Sequence, residues 1–323
     1  MVVFGRILMM FAGLGVFLIA MQLISKNLQQ LTSGKLNKML GKMTNNKLAG
    51  IGLGAGAAVL SQSSSATTVI LLGLVNAGIV NLLQATFIIM GANVGSTLPV
   101  IVFSLKNLPI GEIFAFLALV GAAIVMGSKK EKSKQIGFII ASFGMIFIGL
   151  QTMAGSAEIL SQSQAFVNFI GSLRSPFTLL IVGILFSALI QSSTATTGVA
   201  ITLAGAGLMP IHSAFFIILG SNIGTCVTAL IASIGTNLNS KRTALIQLLY
   251  NAIGVVVFMP LVMIFGNSIT NASTGALSPA VVIAYFHVIF NLGTTIMLIP
   301  FVKFLVKLAI IIMPEPKQKV LVQ

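Results

Sequence analysis

Long apolar blocks alternate with short polar connections along the whole chain. The blocks are Ile7–Ile24, Leu82–Leu105, Ile110–Met126, Ile136–Met153, Phe215–Ile234, Ala244–Phe265 and Ala280–Phe301. Each approaches the roughly 20 residues that a helix needs to cross a bilayer. Two further segments, Leu48–Gly78 and Pro176–Gly207, are apolar but interrupted. The first is broken by "SQSSSATTVI" (Ser61–Ile70), in which seven of ten residues carry hydroxyl or amide groups and none is charged. Its flanks, Leu48–Leu60 and Ser65–Gly78, are each too short to span alone. The second is broken in the same way by "IQSSTATTGVA" (Ile190–Ala200). The pattern predicts an all-α integral membrane protein with about seven full crossings and two re-entrant helical hairpins. Unwound backbone at membrane depth is tolerated only in a protein interior or beside a water-filled cavity, so the two hairpin tips are expected to meet near the midplane.

The two polar runs are copies. A shift of 129 residues places Gln62 on Gln191 without a gap, and "ATFIIMGANVGS" (Ala85–Ser96) on "AFFIILGSNIGT" (Ala214–Thr225). Between Gln62/Gln191 and Gly95/Gly224, 16 of 34 positions are identical. The same shift places Gly15 on Gly144 and Gln22 on Gln151. A fixed internal period decides the architecture. Residues 1–128 form the first repeat: a helix, an interfacial arm at Lys35–Lys47, the hairpin 48–78 and a broken helix. Residues 129–266 form the second, with its arm near Ala157–Leu173, the hairpin 176–207, a broken helix and a following helix. Residues 267–323 hold an outer loop, the last membrane helix and a basic tail.

Charge orients the chain. Of 323 residues, 57% are hydrophobic and 7% charged, against about a quarter charged in soluble proteins. The 18 basic residues fall in the connections, not on a basic face, which excludes a nucleic-acid partner. With the N-terminus outside, 15 of the 18 are cytoplasmic, leaving only Arg6, Lys106 and Arg174 outside. The opposite orientation violates the positive-inside rule. The C-terminus is then cytoplasmic, the first segment reads as a membrane helix and not a signal peptide, and the compartment is a bacterial inner membrane. Equivalent repeat positions lie on opposite sides, so the repeats are inverted, a recurring plan of secondary transporters. The basic arm suits anionic lipid headgroups. The single cysteine, Cys226, permits no intrachain disulfide.

The tips invite ions. A half-helix starting at Ser64 or Ser193 has orphan N–H groups and the positive end of its dipole at the tip, which suits a phosphate or carboxylate. Hydroxyls of Ser63, Ser64, Ser65, Ser192, Ser193 and Thr194 are the candidate anion contacts. The Gln62 and Gln191 carbonyls are acceptors and suit a hard cation. Asn93 and Asn222, flanked by glycines, with Ser96, Thr225, Thr67 and Thr196, are further Na⁺ ligand candidates. The chain contains no Asp, and its four acids, Glu112, Glu131, Glu158 and Glu315, lie outside the repeated motifs. A cation site must therefore use neutral oxygens, with a co-bound anion supplying the countercharge. Alternative readings stand beside these: membrane hydroxyls often bond their own helix, the two asparagines could merely cap broken helices, Gln22 and Gln151 could bond between helices or line a site, and His287 reads as a packing residue.

At "QSSSATT", "QSSTATT", "GANVGST" and "GSNIGTC" the chain resembles the type II sodium-dependent phosphate cotransporter family; "QLLYN" (Gln247–Asn251) and "HVIFN" (His287–Asn291) look like its later helices. The resemblance implies Na⁺-coupled movement of inorganic phosphate, both motifs forming the substrate and sodium region, and no cofactor beyond the coupling ion. The family's electrogenic vertebrate members carry an acidic residue near the first motif, and this chain has none there. An enzyme is excluded as a reading by the lack of Asp for a Ser-His-Asp set and of any metal cluster or P-loop. A passive anion channel, or a Na⁺-coupled carrier of a small carboxylate or other oxyanion, are the rivals; the absence of Arg near the motifs argues against a carboxylate clamp. The inverted halves predict an elevator-like motion on a fixed scaffold, and with it a homodimer.

Overall fold

A computed structural model describes residues 2–40, 46–104, 111–160, 162–163, 175–273 and 275–315. Among these residues the chain is helical, with no strand. In order, α1 is Val2–Leu40, α2 Lys47–Ser61, α3 Ser64–Asn76, α4 Leu82–Gly95, α5 Leu98–Ser104, α6 Gly111–Gly127 and α7 Glu131–Leu160. Then come α8 Pro176–Ile190, α9 Ser193–Gly205, α10 Ile211–Gly224, α11 Cys226–Ala232, α12 Leu238–Ser273, α13 Pro279–Leu298, a 3₁₀ turn Ile299–Phe301 and α14 Val302–Ile312.

Among the described residues, six helical runs are long and apolar enough to cross a membrane: Val3–Ile24, Leu82–Ser104, Glu131–Ile159, Ile211–Ala232, Leu238–Ser273 and Pro279–Ile312. The apolar pattern predicts about seven crossings. The remaining block contains α6, Gly111–Gly127, a helix of 17 residues at the lower limit of spanning length; Ile110 lies outside the described residues. The Lys35–Lys47 arm begins as an unbroken continuation of α1 as far as Leu40, and residues 41–45 lie outside the described set, as does most of the Ala157–Leu173 partner. α12 runs past residue 267 to Ser273.

Small residues set the closest helix contacts. α2 lies on α4, and a Cβ at Gly54 would run into the Ile88 carbonyl, one at Gly91 into that of Ile51, and one at Gly95 into that of Ala55. α8 lies on α10 by the same scheme: Gly183 faces Ile217, Gly220 faces Leu180 and Gly224 faces Ile184. Each of these residues is the first helix pair's counterpart plus 129. Without a hydrophobic driving force in lipid, close backbone approach through small residues supplies the packing energy. Gly91→Ala and Gly220→Ala are therefore expected to destabilise by about 1–3 kcal/mol or more, since the obstacle is backbone that cannot rotate away. Thermal unfolding in detergent checks this; wild-type melting in both variants overturns it.

Long helices carry the contacts to two ends. Gln135 Nε2 of α7 donates to Gln30 Oε1 of α1 (3.4 Å). Asn237, just before α12, donates to Asn76 at the end of α3 (2.8 and 2.9 Å), and Ser240 Oγ donates to the Leu72 carbonyl. Arg242 Nε donates to the Met313 carbonyl (2.9 Å), tying the start of α12 to the end of α14. At the other end, Ile7 and Met10 of α1 pack with Ala157 of α7 and with Leu203, Ala206 and Leu208 at the end of α9. There Gly266 of α12 sits against His212. Arg242 and Gly266 are 24 residues apart on one helix, about 36 Å at 1.5 Å per residue.

Candidate ion site at two helix junctions

The α2–α3 junction is a helix stop and a helix start within two residues. Gln62 takes a left-handed conformation (φ 56°, ψ 22°). Its N–H donates to Val59 and that of Ser63 to Ala58, the paired bonds of a Schellman cap. Ser63 then caps α3, its Oγ accepting from the Ala66 N–H (3.1 Å). The α8–α9 junction is built alike. Gln191 has φ 59° and ψ 29°, its N–H donates to the Ser187 carbonyl (2.7 Å), and Ser192 Oγ accepts from Ala195 N–H (3.1 Å). Left-handed caps are normally glycine, because a Cβ is strained there. Among the described residues only Gln62 and Gln191 are non-glycine with positive φ. Such strain costs on the order of 1–3 kcal/mol and collects at functional sites.

The hydroxyls divide by where their protons go. Thr67 Oγ1 donates to the Ser63 carbonyl and Thr68 to Ser64; Thr196 donates to Ser192 and Thr197 to Ser193, all at 2.8–3.0 Å. Ser96 donates to the Asn93 carbonyl (2.8 Å) and Thr225 to that of Asn222 (3.0 Å). With the proton committed, each of these hydroxyls presents only lone pairs, the chemistry of a cation ligand. Ser64, Ser65 and Ser193 are buried, and among the described residues their hydroxyls enter no hydrogen bond. Ser63 and Ser192 are acceptors in their caps and keep a proton to donate. These five can serve an anion.

The repeated asparagines stand where α4 and α10 end. Asn93 Nδ2 donates to the Ile89 carbonyl and Asn222 Nδ2 to that of Ile218, both at 2.9 Å, so the amide oxygen is the free end of each side chain. The helices break just after them, at Gly95–Leu98 and Gly224–Cys226. The junctions and breaks meet crosswise. Thr194 Oγ1, at the second junction, donates to the Ser96 carbonyl at the first break (3.3 Å). A cleft of about 330 Å³ joins Ser63, Ser65, Ala66, Val69 and Ile70 of the first junction to Gln191 of the second and to Thr228, just past the second break. Among the described residues, no charged side chain lines it. Its polarity comes from hydroxyls, one amide and the positive ends of α3 and α9.

Two residues were missed in the sequence. Thr228 Oγ1 is buried beside the cleft with no partner, and its signal was a position one turn beyond Thr225. Ser61 Oγ joins Thr67 Oγ1 (2.9 Å) and donates to the Ser63 carbonyl (2.8 Å), bracing the first tip. Gln151 lines a different cavity, of about 590 Å³, with Arg6, Thr152, Ser156 and Gln162. Gln22 is exposed. His287 is fully buried.

The chain is 27% identical over 312 residues to the uncharacterised protein YqeW of Bacillus subtilis strain 168, covering 95% of this chain and 99% of that one. It is 25% identical over 281 residues to YjbB of Escherichia coli K12, provisionally named an inorganic phosphate export protein, covering 87% of this chain and 51% of that one. A 95-residue stretch is 37% identical to the sodium-dependent phosphate transport protein 2A of Ovis aries, 28% of this chain and 15% of that one. No solved structure matches. The model of the Na⁺/Pi-cotransporter family matches residues 16–155 and 161–313, which takes in both junctions and both helix breaks. With its six apolar spans and doubled QSS junctions, the chain belongs to the Na⁺/Pi-cotransporter family.

Proposed function

We propose that this protein is a secondary transporter that couples Na⁺ to the movement of inorganic phosphate. The observation that carries the reading is the sorting of hydroxyls at the two junctions: uncommitted protons on Ser64, Ser65 and Ser193 beside helix N-termini, and hydroxyls with their protons spent on backbone carbonyls at Thr67, Thr196, Ser96 and Thr225. Donors gather phosphate oxygens, and Gln62, Gln191, Asn93 and Asn222 complete the Na⁺ shell with neutral carbonyls. Bound phosphate supplies the negative charge that the site itself lacks. The names of relatives point the same way, one to phosphate export and another to sodium-dependent phosphate transport.

On this reading α2–α3 and α8–α9 are re-entrant hairpins of two inverted repeats. The contacts at the two ends of the molecule support it. The open end of α2–α3 lies with Asn237, Arg242 and Met313, and that of α8–α9 with Ile7, Ala157 and Gly266. The first group is the one that the basic connections assign to the cytoplasm. Two nearly equal halves then exchange roles, and the hairpins move together past a scaffold that a homodimer would hold fixed.

Purified protein in liposomes should accumulate labelled phosphate when Na⁺ is higher on one side, and release it when the gradient is reversed. Equal flux with choline in place of Na⁺ sinks the coupling. Competition by succinate as strong as by phosphate replaces phosphate with a carboxylate. Flux that fails to saturate with phosphate makes the protein a channel.

A further inference from the structure

The two junctions are copies in sequence but not in surroundings. One face of α3 carries Ala66, Val69 and Gly73, continuing the line of its cap Ser63; the offset of 129 puts Ala195, Gly198 and Thr202 on the same face of α9, below Ser192. Val69 is 38% exposed, Gly73 is exposed and Ala66 is half-buried. Ala195, Gly198 and Thr202 are all buried. The uncovered face of α3 is not a lipid face. Its residues are small or hydroxylated, unlike the exposed Phe265, Phe301 and Phe304 of the last helices, and Ser63, Ala66 and Val69 line the cleft that reaches Gln191 and Thr228.

What covers α9 is the α1–α7 pair. Phe17 of α1 has 0% exposure and stands over Gly198: a Cβ there would meet Phe17 Cζ at 3.1 Å and Phe103 Cδ2 at 3.7 Å. The Phe17 and Phe103 rings meet edge to face, their centroids 5.5 Å apart and their planes at 71°, a favoured aromatic geometry. Phe147 and Leu150 of α7 and Ala195 of α9 complete an apolar plug around them. α1 and α7 meet backbone to backbone at Gly13 and Gly149, so Phe17 is carried on a close-packed two-helix unit. The plug has no twin beside α3. The same offset puts Ile146 and Ala232 where Phe17 and Phe103 would have counterparts. An aromatic pair on one side alone favours the state in which that side is shut.

We infer that Phe17, seated on Gly198 and Phe103, is the outer gate of the ion path, and that this structure has the gate shut and the path open to the cytoplasm. The naming of the two sides rests on the proposed transport topology. α3 leads from its tip to Asn76, which Asn237 holds at the end assigned to the cytoplasm. α9 leads from its tip to Leu203 and Ala206, which pack with Ile7 and Ala157 at the opposite end. The uncovered face of α3 therefore runs from the tips toward the cytoplasm, and the plug closes the other route. For an ion to reach the tips from outside, Phe17 must leave Gly198.

The test is the reactivity of Ala66→Cys and Ala195→Cys, equivalent positions on α3 and α9, toward a charged, membrane-impermeant thiol reagent. It is read in membrane vesicles of either orientation, in choline chloride without Na⁺ or phosphate; the native Cys226 is buried. Ala66→Cys should react from the cytoplasmic face, and Ala195→Cys about tenfold more slowly or not at all from either face, because thiol labelling follows exposure. Adding Phe17→Ala should speed the Ala195→Cys reaction from the outer face by about tenfold or more and leave the Ala66→Cys rate unchanged. Fast labelling of Ala195→Cys with Phe17 in place, no acceleration by Phe17→Ala, or labelling of Ala66→Cys from the outer face alone overturns the inference. Should Phe17→Ala fail to fold, Phe17→Leu keeps an apolar side chain but removes the ring: faster outer labelling of Ala195→Cys supports the gate, and an unchanged rate rejects it. A failed labelling pattern with Na⁺-driven phosphate flux intact rejects the gate alone, and loss of that flux with the pattern intact rejects the transport reading alone.

Discussion

Ser64→Ala and Ser193→Ala are each expected to weaken apparent phosphate affinity by about fivefold to a hundredfold, the range set by 1–3 kcal/mol for a hydrogen bond lost at a buried site. The reason is the fate of each proton. Both hydroxyls are buried at the first turn of a short helix, and neither is spent inside the protein. Deleting one removes a donor to the anion and leaves the fold's own bonds intact. Thr68→Val and Thr197→Val provide the contrast. Their hydroxyls donate to the Ser64 and Ser193 carbonyls, so phosphate affinity should change by less than about threefold, worth roughly 0.6 kcal/mol. Phosphate titration of initial uptake at saturating Na⁺ measures all four. Unchanged half-saturation in both serine variants would move the anion away from these junctions.

Gln62→Gly and Gln191→Gly should separate stability from function. Both positions have positive φ, where glycine relaxes backbone that glutamine strains. Loss of strain is offset in part by the freedom glycine gains when unfolded, so stability should hold or rise by up to about 1 kcal/mol per site. Transport should respond in the opposite sense. Without the amide oxygens the Na⁺ activation curve should shift by about tenfold or more, as expected for about 1.4 kcal/mol of lost coordination. A melting curve and a Na⁺ activation curve on the same preparation report both. If Gln62→Gly and Gln191→Gly keep wild-type Na⁺ activation, the amides are helix stops and nothing more, and the Na⁺ ligands must be sought among Asn93, Asn222 and the back-bonded hydroxyls.

Much of this molecule could be read from one dimension. Membrane insertion and the position of helices follow from apolar length and local capping, which are properties of contiguous residues. The junctions at Gln62–Ser63 and Gln191–Ser192 fall within the two polar runs, because an N-cap serine and orphan N–H groups announce themselves locally. The offset of 129 was visible because duplication copies residues in order, and it carried the glycine pairs with it. The limit of this reading shows at α6, where composition suggested a crossing but the helix is 17 residues long.

Only the tertiary structure decided which polar groups remain free. In sequence Ser193 and Thr194 stand alike among the candidate anion contacts. Thr194 donates to the Ser96 carbonyl and Ser193 has an uncommitted proton, a difference of rotamer and backbone position that composition does not encode. The crosswise meeting of Thr194 with Ser96, and of Ser65 and Gln191 with Thr228, joins residues from distant parts of the chain. So does the packing of α12 on α13, which sets Gly254 against Thr294 and lets Tyr250 Oη donate to the Asn291 carbonyl. Local sequence sets what each segment becomes, whereas satisfaction of a buried polar atom depends on what the rest of the chain places beside it.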